Sequence, residues 1–312
     1  MEEAIRYVAT EQQYHPVRDY LNGLEWDGRE RAHVLLGEYM GADPGGASRL
    51  LPVISVRFLV SCVARVMRPG CKVDTVLVLQ GKQGGGKSTA FEALASPALF
   101  GDSELDPKNK DAYQQIQGIW IQEIAEIEKW NKHSDQATIK SFLSSKRDRY
   151  RPSYGRNMVN QKRQCVFVGT TNRDTFLADE TGSRRYWPVT AGDLDVDAIR
   201  ADRDQLWAEA VHRYNAGEPW HLSKEEAEEL REASEDYTEI DPLEEDLAKW
   251  LADPTRGPFE LTEAMEVLGF DAKTKTKGMA QRVGGVLGRL GYVKSRKTRG
   301  GRKVTLWAKP GA

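Results

Sequence analysis

The chain has 312 residues, 39% of them hydrophobic and 29% charged, which predicts about two domains and a sizeable core. No window approaches about 18 uncharged apolar residues, which argues against a membrane span; three cysteines without a CxxC pair and five histidines argue against a disulfide framework or a zinc site. The net charge of −2 conceals segregation: residues 225–246 hold 12 acids and one base, 140–163 hold 8 bases and one acid, and 272–309 hold 12 bases and no acid.

Two basic patches in a near-neutral chain predict that a polyanion is handled at two places, solvated helix faces being the plainer alternative. The first residues, from Met1 to His15, lack the basic-then-apolar pattern of a secretory signal, so a cytoplasmic protein is expected. Residues 1–70 read as a helical N-terminal region. Val17, Leu21 and Leu24, then Val34, Leu35 and Tyr39, sit at helical spacing, and a second helix runs from Arg49 to a stop at Pro69-Gly70. Thr75–Gln80 is a nearly continuous apolar run, as in a strand buried on both faces, and Ile119–Gln122 and Gln164–Gly169 repeat the pattern. Residues 71–220 therefore predict an α/β core with a mainly parallel sheet, covered by a helix over 198–215. The acid-rich 221–241 reads as a helical or flexible linker. In 242–312, helices at Leu243–Leu251, Leu261–Leu268 and Met279–Leu290 precede a hairpin around Gly300-Gly301, the order of a winged helix-turn-helix. Arg282 and Arg289 on its last helix, with Lys294, Arg296, Lys297, Arg299, Arg302 and Lys303 on the hairpin, suit DNA phosphates; winged helices also mediate protein contacts.

The segment Gly81-Lys-Gln-Gly-Gly-Gly-Lys87-Ser88-Thr89 matches G-x-x-x-x-G-K-[ST] in full, between a predicted strand and a predicted helix. Gly81, Gly84, Gly85 and Gly86 let backbone N–H groups curl round a phosphate, Lys87 reaches the outer phosphates, and Ser88, beside Thr89, ligates Mg²⁺. ATP and Mg²⁺ are the expected cofactors. Such a loop needs an acid at a neighbouring strand end. Glu123 is the candidate, and Glu126 shares the role if the chain turns helical there; either also suits a surface or capping carboxylate. Asn172, at the tip of the third strand, suits orientation of the attacking water, or simply a turn. Arg184 and Arg185, before another apolar run, suit an arginine finger supplied in trans, and equally a surface pair.

These residues resemble the virulence-associated protein E family of phages and mobile genomic islands, itself similar to superfamily 3 helicases of the AAA+ class. The matching segments include His15-Pro-Val-Arg-Asp-Tyr-Leu, the glycine loop, Trp120-Ile-Gln-Glu-Ile-Ala-Glu, Gly169-Thr-Thr-Asn and Thr181-Gly-Ser-Arg-Arg-Tyr-Trp-Pro-Val, in order over roughly residues 14–220. The resemblance implies a P-loop NTPase core in which Lys87 and Ser88 belong to Walker A and Glu123 to Walker B. It makes Asn172 sensor 1, and Arg184 or Arg185 the finger of a neighbouring subunit. It also implies a hairpin gripping single-stranded DNA, with candidate contacts Lys140, Arg147, Arg149, Arg151, Tyr154, Arg156 and Lys162; spaced cations with an aromatic are what a groove tracking a backbone needs.

The expectation is thus an ATP-dependent replicative DNA helicase, a hexameric ring acting on single-stranded and origin DNA without a membrane. A primase, absent from this sequence, or host replication proteins are expected partners. The alternatives are an ATP-switched origin-binding or regulatory protein without processive unwinding, and a factor recruiting host proteins through the acidic stretch.

Overall fold

Val76–Gln80 (β1) is buried along its whole length, so its side chains divide between two hydrophobic layers. Leu77 and Leu79 join one cluster, while Val76 and Val78 join the other, the period-2 alternation of a central strand. Parallel neighbours complete its pairing: Val166–Thr171 (β6) on one side and Tyr186–Thr190 (β7) on the other. Ile121–Ala125 (β3) pairs with β6, and the two-residue Phe100–Gly101 (β2) closes the edge, giving the order β2-β3-β6-β1-β7, parallel throughout.

The computed structural model describes residues 15–42, 48–130, 136–152, 157–177, 184–238, 241–253, 256–271, 273–299 and 302–310. They divide into two units, 1–238 and 239–312. Residues 16–70 and 221–238, read from sequence as a separate helical region and a linker, therefore lie in the same unit as the sheet. The reason is apolar burial: Leu59 and Val63 on one side and Leu230 on the other belong to a single core cluster with Leu77 and Leu79.

In the first unit, Pro16–Asn22 (α1) starts at His15, whose Nδ1 accepts from the Arg18 N–H at 3.1 Å. Leu50–Met67 (α2) is long and apolar enough to cross a membrane by length and composition alone, counting its two arginines; here it is a core helix, mostly buried. Its Arg65, 1% exposed, donates to the carbonyls of Cys71 and Val73 at 2.7 Å each and fixes the turn that feeds β1. Lys87–Ala95 (α3) and Val196–Asn215 (α6) share that layer. Between them Trp120 and Trp207 meet at 4.3 Å, each indole N–H satisfied by a backbone carbonyl, of Cys62 and Leu94. On the other face, Ile124, Phe167 and Val78 pack with Phe142 of Gln136–Leu143 (α5); the short Asp111–Gln115 (α4) places Ala112 there.

Between α5 and β6 the chain makes an antiparallel ribbon, Arg147–Tyr150 (β4) with Val159–Lys162 (β5). The acid-rich stretch forms Lys224–Ala233 (α7), opened by a reciprocal Ser223/Glu226 capping box.

The second unit contains Pro242–Leu251 (α8), Phe259–Glu260 (β8), Leu261–Val267 (α9), Lys277–Arg289 (α10), Val293–Arg299 (β9) and Arg302–Ala308 (β10). Its antiparallel sheet has the order β8-β10-β9, and Leu247, Phe259, Val283, Leu287 and Trp307 form its own core. The edge strand β8 was not legible in the sequence, being only two residues long.

Candidate nucleotide site and nucleic-acid interface

The glycine loop leaves the C-terminal end of β1 and enters α3. Gly86 is the residue before the first helical turn and has φ +83°, a left-handed conformation that any side chain would strain. The loop thereby presents the N-terminus of α3, a ready anion site. The Lys87 ammonium donates to the Gly81 and Lys82 carbonyls at 2.9 and 2.8 Å, so the loop is closed upon its own lysine. Burial pushes Lys87 below its ordinary pKa, against the opposing pull of Glu123.

Ser88 donates its hydroxyl to Glu123 Oε1 at 2.7 Å, and Thr170 Oγ1 donates to the same carboxylate oxygen. Glu123 is 3% exposed, and among the described residues these hydroxyls, not a cation within ion-pair distance, hold it. A buried carboxylate beside a loop hydroxyl is a hard-oxygen donor set, so Ser88 and Glu123 fit a Mg²⁺ ion. The sequence pattern puts Glu123 at the strand end. In fact β3 begins at Ile121 and continues to Ala125, so Glu123 lies within it, opposite Val168 of β6. That neighbour brings Thr170, missed from sequence, to the carboxylate.

Among the described residues Glu126 makes no hydrogen bond to this cluster, although it lines the same cavity as Glu123. It sits just past β3 with φ +51°, left-handed for a non-glycine residue, and pairs with Lys129 at 2.6 Å. The Lys129 ammonium holds its carboxyl below the usual range. The expected sharing of duties between Glu123 and Glu126 is therefore corrected: the chain makes a left-handed turn and then a single 3₁₀ turn, not an α-helix. Asn172 follows β6 directly and is exposed at the strand tip, between the ends of β1 and β3. Nearby, Thr171 donates to Glu128 at 2.8 Å and the Gln80 amide to Asp174 at 3.0 Å, tying the strand ends together.

Arg184 and Arg185 lie at the other end of the sheet. Tyr186 is level with Val76, whereas Thr190 is level with Gln80, and the Val76 N–H donates to the Arg185 carbonyl at 2.7 Å. At a rise of about 3.3 Å per residue, the five-residue strand separates them from the loop by roughly 15 Å. Arg185 is half-buried, 3.6 Å from Asp74; Arg184 is exposed.

The basic stretch divides by strand alternation. Arg147, Arg149 and Lys162 are exposed on the ribbon, while Asp148 and Tyr150 are buried. Arg163, wholly buried, donates from Nε and Nη2 to Asp148 at 2.8 and 2.6 Å and from Nη1 to the Phe142 carbonyl, lying 4.7 Å from the Phe142 ring. It anchors the ribbon and is not available to a ligand. Lys140 is half-buried on α5, Arg151 is exposed with interactions of its own, and Tyr154 and Arg156 lie outside the described residues.

In the second unit the two arginines expected as groove contacts on α10 are held by carboxylates. Arg282 forks onto Asp241 at 2.7 and 2.9 Å, and Arg289 bonds Glu244 at 2.9 Å. Both acids sit at the start of α8, within reach of the α10 arginines once the helices pack. Lys294 and Arg296 remain exposed, Lys294 stacked 4.9 Å over Trp307. The side chains of Lys297, Arg299, Arg302 and Lys303 lie outside what the structure describes.

Comparison with solved structures finds the apo NrS-1 C-terminal region, 13% identical, with a TM-score of 0.49 over 92% of this chain and 77% of that one. It also finds the Thermotoga maritima RuvB Holliday junction branch migration motor, 15% identical, with a TM-score of 0.27 over 83% of this chain and 91% of that one. No curated protein matches. The virulence-associated protein E-like domain matches residues 21–239, spanning the glycine loop, β3, the ribbon, β6 and the Arg184 turn. The chain belongs to the virulence-associated protein E-like domain family.

Proposed function

We propose that this protein is an ATP-hydrolysing motor of phage or mobile-element replication, a ring-forming DNA helicase in the cytoplasm of a bacterial host. The observation that carries the reading is the joining of Ser88 to the buried Glu123 at the head of the glycine loop, with Arg184 at the opposite end of the same sheet. Magnesium, held by Ser88 and Glu123, would supply charge neutralisation at the outer phosphates. Lys87 exchanges its two loop carbonyls for those phosphates, and its loss of solvation there strengthens the attraction. Glu123 keeps a carboxylate in a dry setting beside the reacting centre, and Asn172 orients the attacking water. Roughly 15 Å of strand separates Arg184 from its own loop, which supports a guanidinium that serves a site on a neighbouring copy. Such sharing is the reason to expect a closed ring, a hexamer in this reading.

The exposed ribbon cations Arg147, Arg149 and Lys162 would contact single-stranded DNA phosphates, so that changes at the sheet move the strand. The second unit, helices followed by a basic antiparallel sheet, is read as winged-helix-like and as a duplex or origin contact through Lys294 and Arg296. A primase or host replication protein is the expected partner.

Strand displacement on a forked DNA with Mg-ATP tests the reading directly. Unwinding by wild type that is lost in Lys87→Ala supports it; strong ATP hydrolysis without displacement, unstimulated by single strands, would favour an ATP-switched binding protein instead.

A further inference from the structure

The N-terminal end of the sheet, away from the glycine loop, holds a cavity of 790 Å³. Its walls come from five separate parts of the first unit. Arg68 and Lys72 belong to the turn after α2, Lys146 and Lys162 to the base of the ribbon, and Arg184 and Arg185 to the turn before β7. Trp220 and His221 supply an aromatic side. These six cations, with Arg231, line one space whose lining includes a single carboxylate, Asp74, which already serves both Lys72 at 3.7 Å and Arg185 at 3.6 Å. Arg68, Lys146, Lys162 and Arg184 have no ion pair among the described residues. Arg231, also on the wall, is engaged by Glu228 and Glu235 of its own segment.

Mutual repulsion opposes gathering like charges, so a folded chain that does so with one counter-charge is matched to an anionic ligand. The walls are held in place independently of any ligand. Gly70, at φ +79°, brings its turn so close to the ribbon that an added Cβ would lie 2.8 Å from the Lys146 carbonyl. Its N–H donates to the Arg163 carbonyl at 2.9 Å, and Arg163 N–H donates to Lys146 O at 3.0 Å. Trp220 is fixed by its indole N–H, which donates to the Lys72 carbonyl at 3.0 Å. One Arg185 nitrogen, Nε, is buried without a hydrogen-bond partner. Cations on fixed turns beside a fixed indole suit a phosphate group attached to a flat base.

We infer that this cavity is a second nucleotide-phosphate site, separate from the glycine loop, in which Arg68, Lys72, Lys146 and Lys162 hold phosphates and Trp220 stacks the base. A free nucleoside triphosphate and one nucleotide of a single DNA strand present the same chemistry, and Lys162 lies on both the exposed ribbon and the cavity wall. The inference does not depend on the motor reading, because binding is measured without turnover.

The test uses full-length protein with Lys87→Ala, which disables the glycine loop. Fluorescence anisotropy follows a labelled 15-nucleotide oligo-dT in one arm and a fluorescent ATP analogue in the other. Lys72→Ala/Lys146→Ala is added to the Lys87→Ala background, with Lys110→Ala/Lys249→Ala as a control that removes equal charge elsewhere. The expected result is that at least one ligand binds the Lys87→Ala protein, is displaced by pyrophosphate, and weakens about tenfold in the cavity variant but under twofold in the control. The arm that responds identifies the source of the phosphate. Equal affinities in the cavity and control variants for both ligands, or no binding of either ligand to Lys87→Ala, overturn the inference. Far-ultraviolet circular dichroism and the melting temperature verify that each variant is folded. Absence of ATP hydrolysis in wild type with the cavity effect intact would remove the motor reading and leave this one standing.

Discussion

Glu123 is a buried carboxylate whose visible partners are two hydroxyls, an arrangement that favours a metal ion over a second side-chain cation. Glu123→Gln keeps the shape and removes the charge. It is expected to lower ATP turnover about a hundredfold or more while nucleotide still binds, checked by steady-state hydrolysis and by equilibrium binding of a fluorescent analogue. Glu126→Gln, by contrast, touches an exposed pair with Lys129, and hydrolysis within about threefold of wild type is expected. A loss equal to that of Glu123→Gln would return Glu126 to the reacting centre. For Arg184, the proposed action is on a neighbouring copy. Mixing Arg184→Ala subunits with wild type should depress hydrolysis more steeply than dilution, and a strictly proportional fall would mean that no site is shared.

At the scale of elements, the ribbon between α5 and β6 sorts its charges by alternation along one strand. Asp148 faces inward and neutralises Arg163 in a site with almost no solvent, whereas Arg147 and Arg149 face outward. Asp148→Asn leaves a wholly buried guanidinium without its carboxylate, and a loss of about 3–5 kcal/mol of stability is expected in thermal or urea unfolding. Arg149→Ala should leave stability within about 0.5 kcal/mol and weaken oligonucleotide binding instead. Sequence charge alone groups all eight bases of this stretch as one patch; strand alternation decides which are structural.

The chain as a whole is two units, and the second holds a carboxylate–guanidinium pair that makes its stability depend on acid. Burial works to raise the Asp241 pKa, but the forked guanidinium of Arg282 and the Leu243 N–H overcome it, leaving the carboxyl below its ordinary value. A depressed carboxyl stabilises the fold above its unfolded pKa, near 4, and that contribution is lost as pH falls through the folded value. The second unit should therefore melt at lower temperature as pH drops below about 4, and Arg282→Gln should remove part of that dependence while costing about 1–2 kcal/mol at neutral pH. A pH profile unchanged by Arg282→Gln would mean that the pair does not contribute.

Much of the architecture was legible because its signals are local. A run of apolar residues before Gly81 marked β1, the glycine loop marked the turn into α3, and alternation around Gly300-Gly301 marked the terminal hairpin. The sequence by itself determined the family, since its motifs recur in order along one chain. Which strands become neighbours is not a local property, and only the tertiary structure decided it. The order β2-β3-β6-β1-β7 sets β6 beside β3 and so brings Thr170 to Glu123 across 47 positions of chain. Helix packing likewise occupies Arg282 and Arg289 with carboxylates 41 and 45 positions away, and the six cations of the cavity meet only because separate turns end at one edge of the sheet. Charge can be counted along a sequence, but whether a charge meets an acid, a solvent face or an empty space is settled when the apolar residues choose how to bury themselves.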